Sequence, residues 1–326
     1  MKYKKVPRIK EELSMIGIGC WNFGGDWDSS DDRQAERIVD TAIDCGVNVF
    51  DVAPVYGWFH AEEVLGSALS GGKRNQVLIA SKCGLTWDGN HVTQNNLTKK
   101  NLLKEIDGSL GRLKTDYIDI YQLHWPDPRT PIEETADALK EIQKSGKIRY
   151  VGLSNFSQKD AAAFMSMIEI HSQQGLYNML ERNTGSYHNI PLEYKTEKEM
   201  LQTVRREGQA FFPYSPLFQG LLAGELNKKD NFSSRDIRNE NPKLSGRLFL
   251  RYYACYEQLQ KLADEAGHPM YEIAMNWLRQ KPEVTAIIAG VSSPEQIRKN
   301  LNCLTWEIDD GLMDRINAVR KDFEDI

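Results

Sequence analysis

The chain has 326 residues, 40% apolar and 27% charged, enough to build one large core and to predict a single domain over residues 1–326. A formal charge of -5 supplies no basic field, so the expected partner is a small molecule, not nucleic acid or a membrane surface. The five cysteines (Cys20, Cys45, Cys83, Cys255, Cys303) contain no Cys-x-x-Cys pair, which argues against a disulfide framework or zinc ribbon and for a reduced, cytoplasmic setting. The opening Met1-Lys2-Tyr3-Lys4-Lys5-Val6-Pro7 has no apolar signal core, and no stretch approaches the ~20 apolar residues of a membrane span.

In chain order, short β-like runs alternate with longer stretches of helical period, as in a parallel sheet covered by helices. Lys4 to Ile9 and Glu12 to Met15 are predicted to form a small hairpin, and Ile16 to Gly19 the first barrel strand. Ala35, Ile38, Val39, Ala42 and Ile43 line one face of a helix over Gln34 to Asp44, which Gly46 closes. Further strands are expected at Val49 to Asp51, Val77 to Ser81, Tyr117 to Leu123, Tyr150 to Leu153, His171 to Gln174, Ala210 to Pro213 and Ala286 to Ala289. The intervening helices fall at Ala61 to Leu69, Lys99 to Leu113, Ile132 to Ser145, Gln158 to Ile168, Glu197 to Glu207 and Tyr271 to Gln280.

Eight strands in this order fit an α/β fold of one of two kinds, a single (β/α)8 TIM barrel or a doubly wound open sheet. Gly17-x-Gly19, the one glycine-rich candidate, lacks the third glycine and the following helix of a dinucleotide-binding turn, which favours the barrel. Gln219 to Gly246 is long and polar, follows the seventh strand, and is a candidate lid. Leu250 to Ala266 and Asp309 to Phe323 are predicted as extra C-terminal helices outside the repeat.

Asp51, Tyr56, Lys82 and His124 follow the apolar runs Val49-Phe50, Val77 to Ala80 and Ile118 to Leu123. In a parallel barrel the C-terminal strand ends converge, so an acid, a phenol, an amine and an imidazole meet in one pocket. Each has a structural reading alone: Asp–Lys pairs brace barrels, a loop tyrosine packs on a surface, and a lone histidine is usually a satisfied core residue. Together they cost burial energy that apolar residues would not, and chemistry is the better account.

Several ordered motifs resemble the aldo-keto reductases, and within them the bacterial branch similar to potassium-channel β subunits. They are Gly19-Cys20-Trp21, Phe50-Asp51-Val52-Ala53-x-x-Tyr56-Gly57, Ala80-Ser81-Lys82, Tyr121-x-Leu123-His124, Gly152-Leu153-Ser154-Asn155-Phe156, Tyr214-Ser215-Pro216-Leu217 and Gly290-Val291-Ser292-Ser293-Pro294-Glu295-Gln296. The resemblance covers nearly the whole chain. It implies a (β/α)8 barrel that binds NADPH, less often NADH, at its C-terminal rim and reduces aldehydes or ketones by hydride transfer.

The chemistry explains the four side chains. A free phenol has a pKa of about 10, so Tyr56 is protonated at neutral pH but a reluctant donor. The Lys82 cation is expected to favour tyrosinate and lower that pKa, while Asp51 keeps Lys82 charged and aimed. His124 is expected to hydrogen-bond the substrate carbonyl, and no metal is required.

On the cofactor side the resemblance implies that Ser154, Asn155 and Gln174 hold the nicotinamide carboxamide and that Tyr214 stacks on the ring, with Ser215, Leu217, Gly220, Gly290 and Asn300 around the dinucleotide. By itself Ser154-Asn155 also reads as a turn and cap before the helix at Gln158, and the resemblance favours binding. Ser293-Pro294-Glu295-Gln296 reads as a capped helix start, with Ser293 as N-cap and Gln296 closing a capping box. Its N–H groups, with Ser292, would accept the adenosine 2'-phosphate that the resemblance implies. The usual pyrophosphate lysine is replaced by Glu225 after Gly220-Leu221-Leu222-Ala223-Gly224, Arg235 is the expected compensation, and Lys299 stands where a glutamate is common.

Trp21, Trp58, Trp87 and Trp125, with Phe59, are expected to line an aromatic substrate pocket, and Arg129 reads as a solvated loop arginine or a contact for an acidic substrate. Three functions are compatible with these residues. They are a carbonyl reductase or alcohol or sugar dehydrogenase, a cofactor-binding regulatory subunit with residual turnover, and a Schiff-base aldolase using Lys82.

Overall fold

A computed structural model describes residues 1–25, 31–227, 232 and 236–323. Eight parallel strands build a nearly closed barrel: β1 (Ile16–Gly19), β2 (Val49–Asp51), β3 (Leu78–Cys83), β4 (Ile118–Leu123), β5 (Ile148–Ser154), β6 (Ser172–Leu176), β7 (Ala210–Tyr214) and β8 (Ile287–Gly290). Each pairs with its successor from β1 to β7, and β8 pairs with β1. The circle is completed beside β7 by a parallel bridge from Phe211 to Val284 and by the Thr285 N–H donating to the Phe211 carbonyl at 2.9 Å.

Helices α1 (Asp32–Asp44), α2 (His60–Ala68), α3 (Lys99–Leu113), α4 (Ile132–Lys144), α5 (Gln158–Met165), α6 (Leu201–Glu207), α7 (Gly246–Ala266), α8 (Met270–Arg279), α9 (Pro294–Leu301) and α10 (Asp310–Lys321) cover the barrel. No helix among the described residues is long and apolar enough to cross a membrane. α1 shows why such segments become helices: Ala35, Ile38, Val39 and Ala42 form one buried stripe, Asp31 caps its N-terminus, and Gly46 follows it at φ +80°.

Inward-pointing residues alternate along each strand, so neighbours in register form layers. Ala80, Ile120 and Tyr150 are one such set, packed with Val49, Phe212 and Ile288 above the hairpin residues Val6, Ile9 and Leu13. Two residues further on, Lys82, Gln122, Gly152 and Ser172 are in register on β3 to β6. An apolar floor therefore carries a polar layer at the C-terminal end.

Some elements differ from expectation. The N-terminal hairpin pairs Tyr3–Val6 with Ile9–Ser14, turning at Pro7 and Arg8, because proline has no N–H to give a ladder. β3 runs through Lys82 instead of ending before it. The helix expected from Glu197 opens as a π-turn at Thr196–Met200 before α6. Two short hairpins, Leu85–Trp87 with Thr93–Asn95 and Ser186–Tyr187 with Ile190–Pro191, lie in polar stretches that carry no alternation. The candidate lid consists, where described, of 3-10 turns at Phe218–Ala223, Ile237–Glu240 and Pro242–Leu244.

Candidate active site

Asp51 closes β2, Lys82 is the penultimate residue of β3, and His124 follows β4 directly. Tyr56 stands on the loop between β2 and α2, in a series of turns that includes Gly57, Trp58 and Phe59, all with positive φ. The loop is pressed against its neighbour: a Cβ on Gly57 would overlap the Gly24 carbonyl, so glycine is required there.

The Lys82 ammonium donates to Asp51 Oδ1 at 2.6 Å, to the Val52 carbonyl at 3.1 Å and to the Tyr56 hydroxyl oxygen at 3.1 Å. Its exposure is 0% and that of Asp51 is 3%. The second carboxylate oxygen, Asp51 Oδ2, accepts from Gln174 Nε2 at 2.8 Å and from Gln122 Nε2 at 3.4 Å. This buried ion pair thus has its remaining lone pairs and protons occupied, the condition under which such a pair is tolerated.

The electrostatics depart from the expectation of an acidified phenol. Burial pushes the Tyr56 hydroxyl well above the ordinary tyrosine value, and the Asp51 charge and then Cys20 push it the same way. The Lys82 ammonium, 3.1 Å from the hydroxyl oxygen, does not offset these effects. His124 is driven well below its ordinary value by burial first and the Lys82 charge second, which leaves a neutral imidazole. Trp21 stacks on Tyr56 with centroids 5.7 Å apart, and His124 meets the same ring edge-on at 6.0 Å.

Ser154 is the last residue of β5 and is in register with Gln174, which lies in the middle of β6 because that strand runs on to Leu176 instead of ending at Gln174. Ser154 Oγ is 3.5 Å from Gln174 Oε1. Asn155 is more heavily engaged than a free ligand contact. Its Nδ2 donates to Ser154 Oγ and the His124 carbonyl, and its Oδ1 accepts from the hydroxyls of Tyr194 (2.9 Å) and Tyr214 (2.8 Å). That bond anchors the Tyr214 ring, and the chain then turns through Ser215, Phe218, Gln219 and Gly220, all at positive φ, with Leu217 packed on the helical core.

Gly290 ends β8, and Asn300 is buried on α9. Ser293 caps α9 as expected, accepting from the Gln296 N–H, but Gln296 Oε1 reaches Ser292 N at 2.6 Å, one residue earlier than a capping box predicts. Glu225 lies beside Gly220, and Arg235 is outside the described residues. Hydroxyl, carboxamide, flat phenol and helix N-terminus along one rim are the donor set that a nicotinamide dinucleotide needs.

At the mouth, Trp58 meets Trp87 at 5.3 Å and stacks on His91 at 4.1 Å, while Phe59 packs on Trp87. Trp125 is partly buried against the helical core that also receives Tyr214. Arg129 is held by Asp127 of its own loop at 3.2 Å and by the Asn95 carbonyl of the neighbouring Thr93–Asn95 strand. No group of three or more metal-ligating side chains is found among the described residues. Sequence reasoning missed Gln122 and Tyr194. Gln122 had a signal, as a polar residue inside the apolar run from Ile118 to Leu123.

The sequence pattern of the aldo/keto reductase family matches residues 15–321. The chain belongs to that family. It is 33% identical to the aldo-keto reductase YhdN of Bacillus subtilis, covering 98% of this chain and 93% of that one. It is 31% identical to an NADH-specific methylglyoxal reductase of Escherichia coli (94% and 95% covered) and 30% identical to a probable voltage-gated potassium channel subunit beta of Arabidopsis thaliana (93% and 91%). Among solved structures it is similar to a glycerol dehydrogenase from Gluconobacter oxydans, with a TM-score of 0.86, 31% identity, and 97% and 94% of the two chains covered. This aldo-keto reductase is therefore an NAD(P)H-dependent oxidoreductase, of a family that acts on small carbonyl compounds.

Proposed function

We propose that this aldo-keto reductase reduces an aldehyde or ketone, or oxidises the corresponding alcohol or sugar, with Tyr56 as the general acid/base and NADP as its preferred cofactor. The observation that carries this reading is the Lys82 ammonium, shared between Asp51 Oδ1 at 2.6 Å and the Tyr56 hydroxyl at 3.1 Å. When bound, the nicotinamide supplies the hydride; the chain's own residues manage the proton and the developing charge.

Tyr56 rests as a neutral phenol because its surroundings disfavour tyrosinate. As negative charge grows on a carbonyl oxygen beside it, the phenol gives up its proton and the Lys82 N–H already in place stabilises the oxygen left behind. Neutral His124 orients the same carbonyl oxygen, and Asp51 holds the buried Lys82 side chain in place through its 2.6 Å contact. Ser154 and Gln174 would hold the nicotinamide carboxamide, Tyr214 would offer its face to the ring, and Ser292, Ser293 and the α9 N-terminus would accept a phosphate. NADH is the alternative cofactor, favoured by the name of the Escherichia coli relative and by Glu225 in place of a cation.

Trp21 over Tyr56, with Trp58, Trp87 and Trp125 at the rim, supports a neutral substrate with an apolar or sugar-like face. The five cysteines are all unpaired thiols, in keeping with a cytoplasmic enzyme. A regulatory role with residual turnover draws support from the similarity to a potassium channel subunit beta. A Schiff-base role for Lys82 has little, since its ammonium is buried and donates to three acceptors.

The test is a panel of aldehydes, ketones and sugars with NADPH and NADH, read at the nicotinamide absorbance band, with Tyr56→Phe alongside wild type. Turnover by wild type and its loss in Tyr56→Phe, with NADPH still quenching tryptophan fluorescence, is the expected result. Retained turnover in Tyr56→Phe refutes the assignment of the acid.

A further inference from the structure

Two carboxamides converge on a single oxygen of Asp51, and only one of them belongs to the cofactor rim. Gln174 reaches Asp51 Oδ2 at 2.8 Å from the position on β6 that is in register with Ser154. Gln122 reaches the same oxygen at 3.4 Å from inside the barrel, with 0% exposure, and its Oε1 has no hydrogen-bond partner among the described residues. A buried amide left half satisfied is costly, and the adjoining layer is built of Ala80, Ile120 and Tyr150. An apolar side chain at 122 would fill the space at less expense.

The neighbouring strand makes room for the glutamine. Gly152 is in register with Gln122, and a Cβ there would come within 2.4 Å of Ser172 Oγ on one side and 2.8 Å of Gln122 Cγ on the other. The 122–152 pair thus seats a long side chain whose one bonded group is the N–H facing Asp51. Flipping the amide would set an oxygen against the carboxylate, so the orientation is electrostatically fixed.

We propose that Gln122 is a positioning residue of the reaction: it fixes Asp51 Oδ2, so that Oδ1 stays aimed at Lys82 and Lys82 at Tyr56. Gln174 would also be drawn on by the carboxamide of a bound nicotinamide, whereas the Gln122 side chain has no other partner among the described residues. This rests on the reading of Tyr56 as the acid.

The test uses the full chain with NADPH and methylglyoxal as probes. Gln122→Met should lower kcat about tenfold while KM for methylglyoxal and the NADPH dissociation constant stay within twofold of wild type. Gln122→Glu, which places an acceptor where a donor stood, should lower kcat further. Wild-type kcat in both variants, or a change confined to KM, overturns the proposal.

A second arm does not depend on turnover. In urea unfolding, Gln122→Met and Asp51→Asn should be coupled by at least threefold in the unfolding constant, whereas independent effects overturn the link between the two residues. If wild type neither binds NADPH nor reduces any carbonyl, the functional reading fails, and this cycle still decides whether Gln122 acts on Asp51.

Discussion

Lys82 and Asp51 form an ion pair sealed inside the barrel, Nζ to Oδ1 2.6 Å, and the bonds left over go to Val52, Tyr56, Gln122 and Gln174. Removing one partner strands the other charge out of water. Asp51→Asn and Lys82→Met should each destabilise the fold by about 3–5 kcal/mol, and the double variant by less than their sum. Urea denaturation of the four proteins checks this, and additive losses would contradict the pairing. Carbonyl turnover is expected to vanish in all three variants.

Glu105 on α3 predicts an alkaline weakness. Burial lifts its carboxyl to about 7 even though the Gly84 N–H donates to Oε2 at 2.7 Å. A group whose native value exceeds its unfolded value contributes stability below the unfolded value and loses it as pH rises through the native one. Relative to Glu105→Gln, which keeps the acceptor for Gly84, wild type should lose about 2–3 kcal/mol between pH 4.5 and pH 8. Urea midpoints at those two pH values measure it; a constant difference would show that Glu105 does not titrate in this window.

Gly57→Ala should displace Tyr56, because the new methyl meets the Gly24 backbone and the residue sits at φ +58°. At least a tenfold loss of kcat is expected, with a change in the near-ultraviolet circular dichroism of the stacked Trp21 and Tyr56. Gly72→Ala is the control: φ there is +88°, but nothing lies within 4 Å of the added atom. It should carry the backbone strain, about 1 kcal/mol, and leave turnover unchanged.

Lys243, 4% exposed, holds Glu181 Oε1 at 2.5 Å and the Thr184 hydroxyl at 3.0 Å. Glu181 in turn holds Asn178, which donates to the Ser215 carbonyl at the entrance of the loop after β7. Lys243→Met should cost about 3 kcal/mol and weaken NADPH binding several-fold through that chain. Glu181→Gln added to it should recover part of the stability. Unchanged cofactor affinity, followed by fluorescence quenching, would separate the ion pair from the proposed site.

The barrel and the four polar residues at its C-terminal end were legible in the linear chain because both depend on short-range pattern. Alternation marks a strand, a helical stripe marks its cover, and a parallel barrel gathers whatever ends its strands. Asp51, Lys82 and His124 fall at or beside such ends, and Tyr56 follows five residues after Asp51. The Leu85–Trp87 hairpin, by contrast, has too few residues for a period to register.

Closure of the barrel decided the rest. Only there do Gln122 and Gln174, on different strands, reach one carboxylate, and only there do Tyr194 and Tyr214 take both lone pairs of Asn155. The direction of the Tyr56 shift was likewise a tertiary matter. A nearby lysine favours the phenolate, but burial first and the Asp51 charge second outweigh it here. Residue order determines which chemical groups arrive at the rim; their mutual distances and lost water, which set the field each one feels, exist only in the folded barrel.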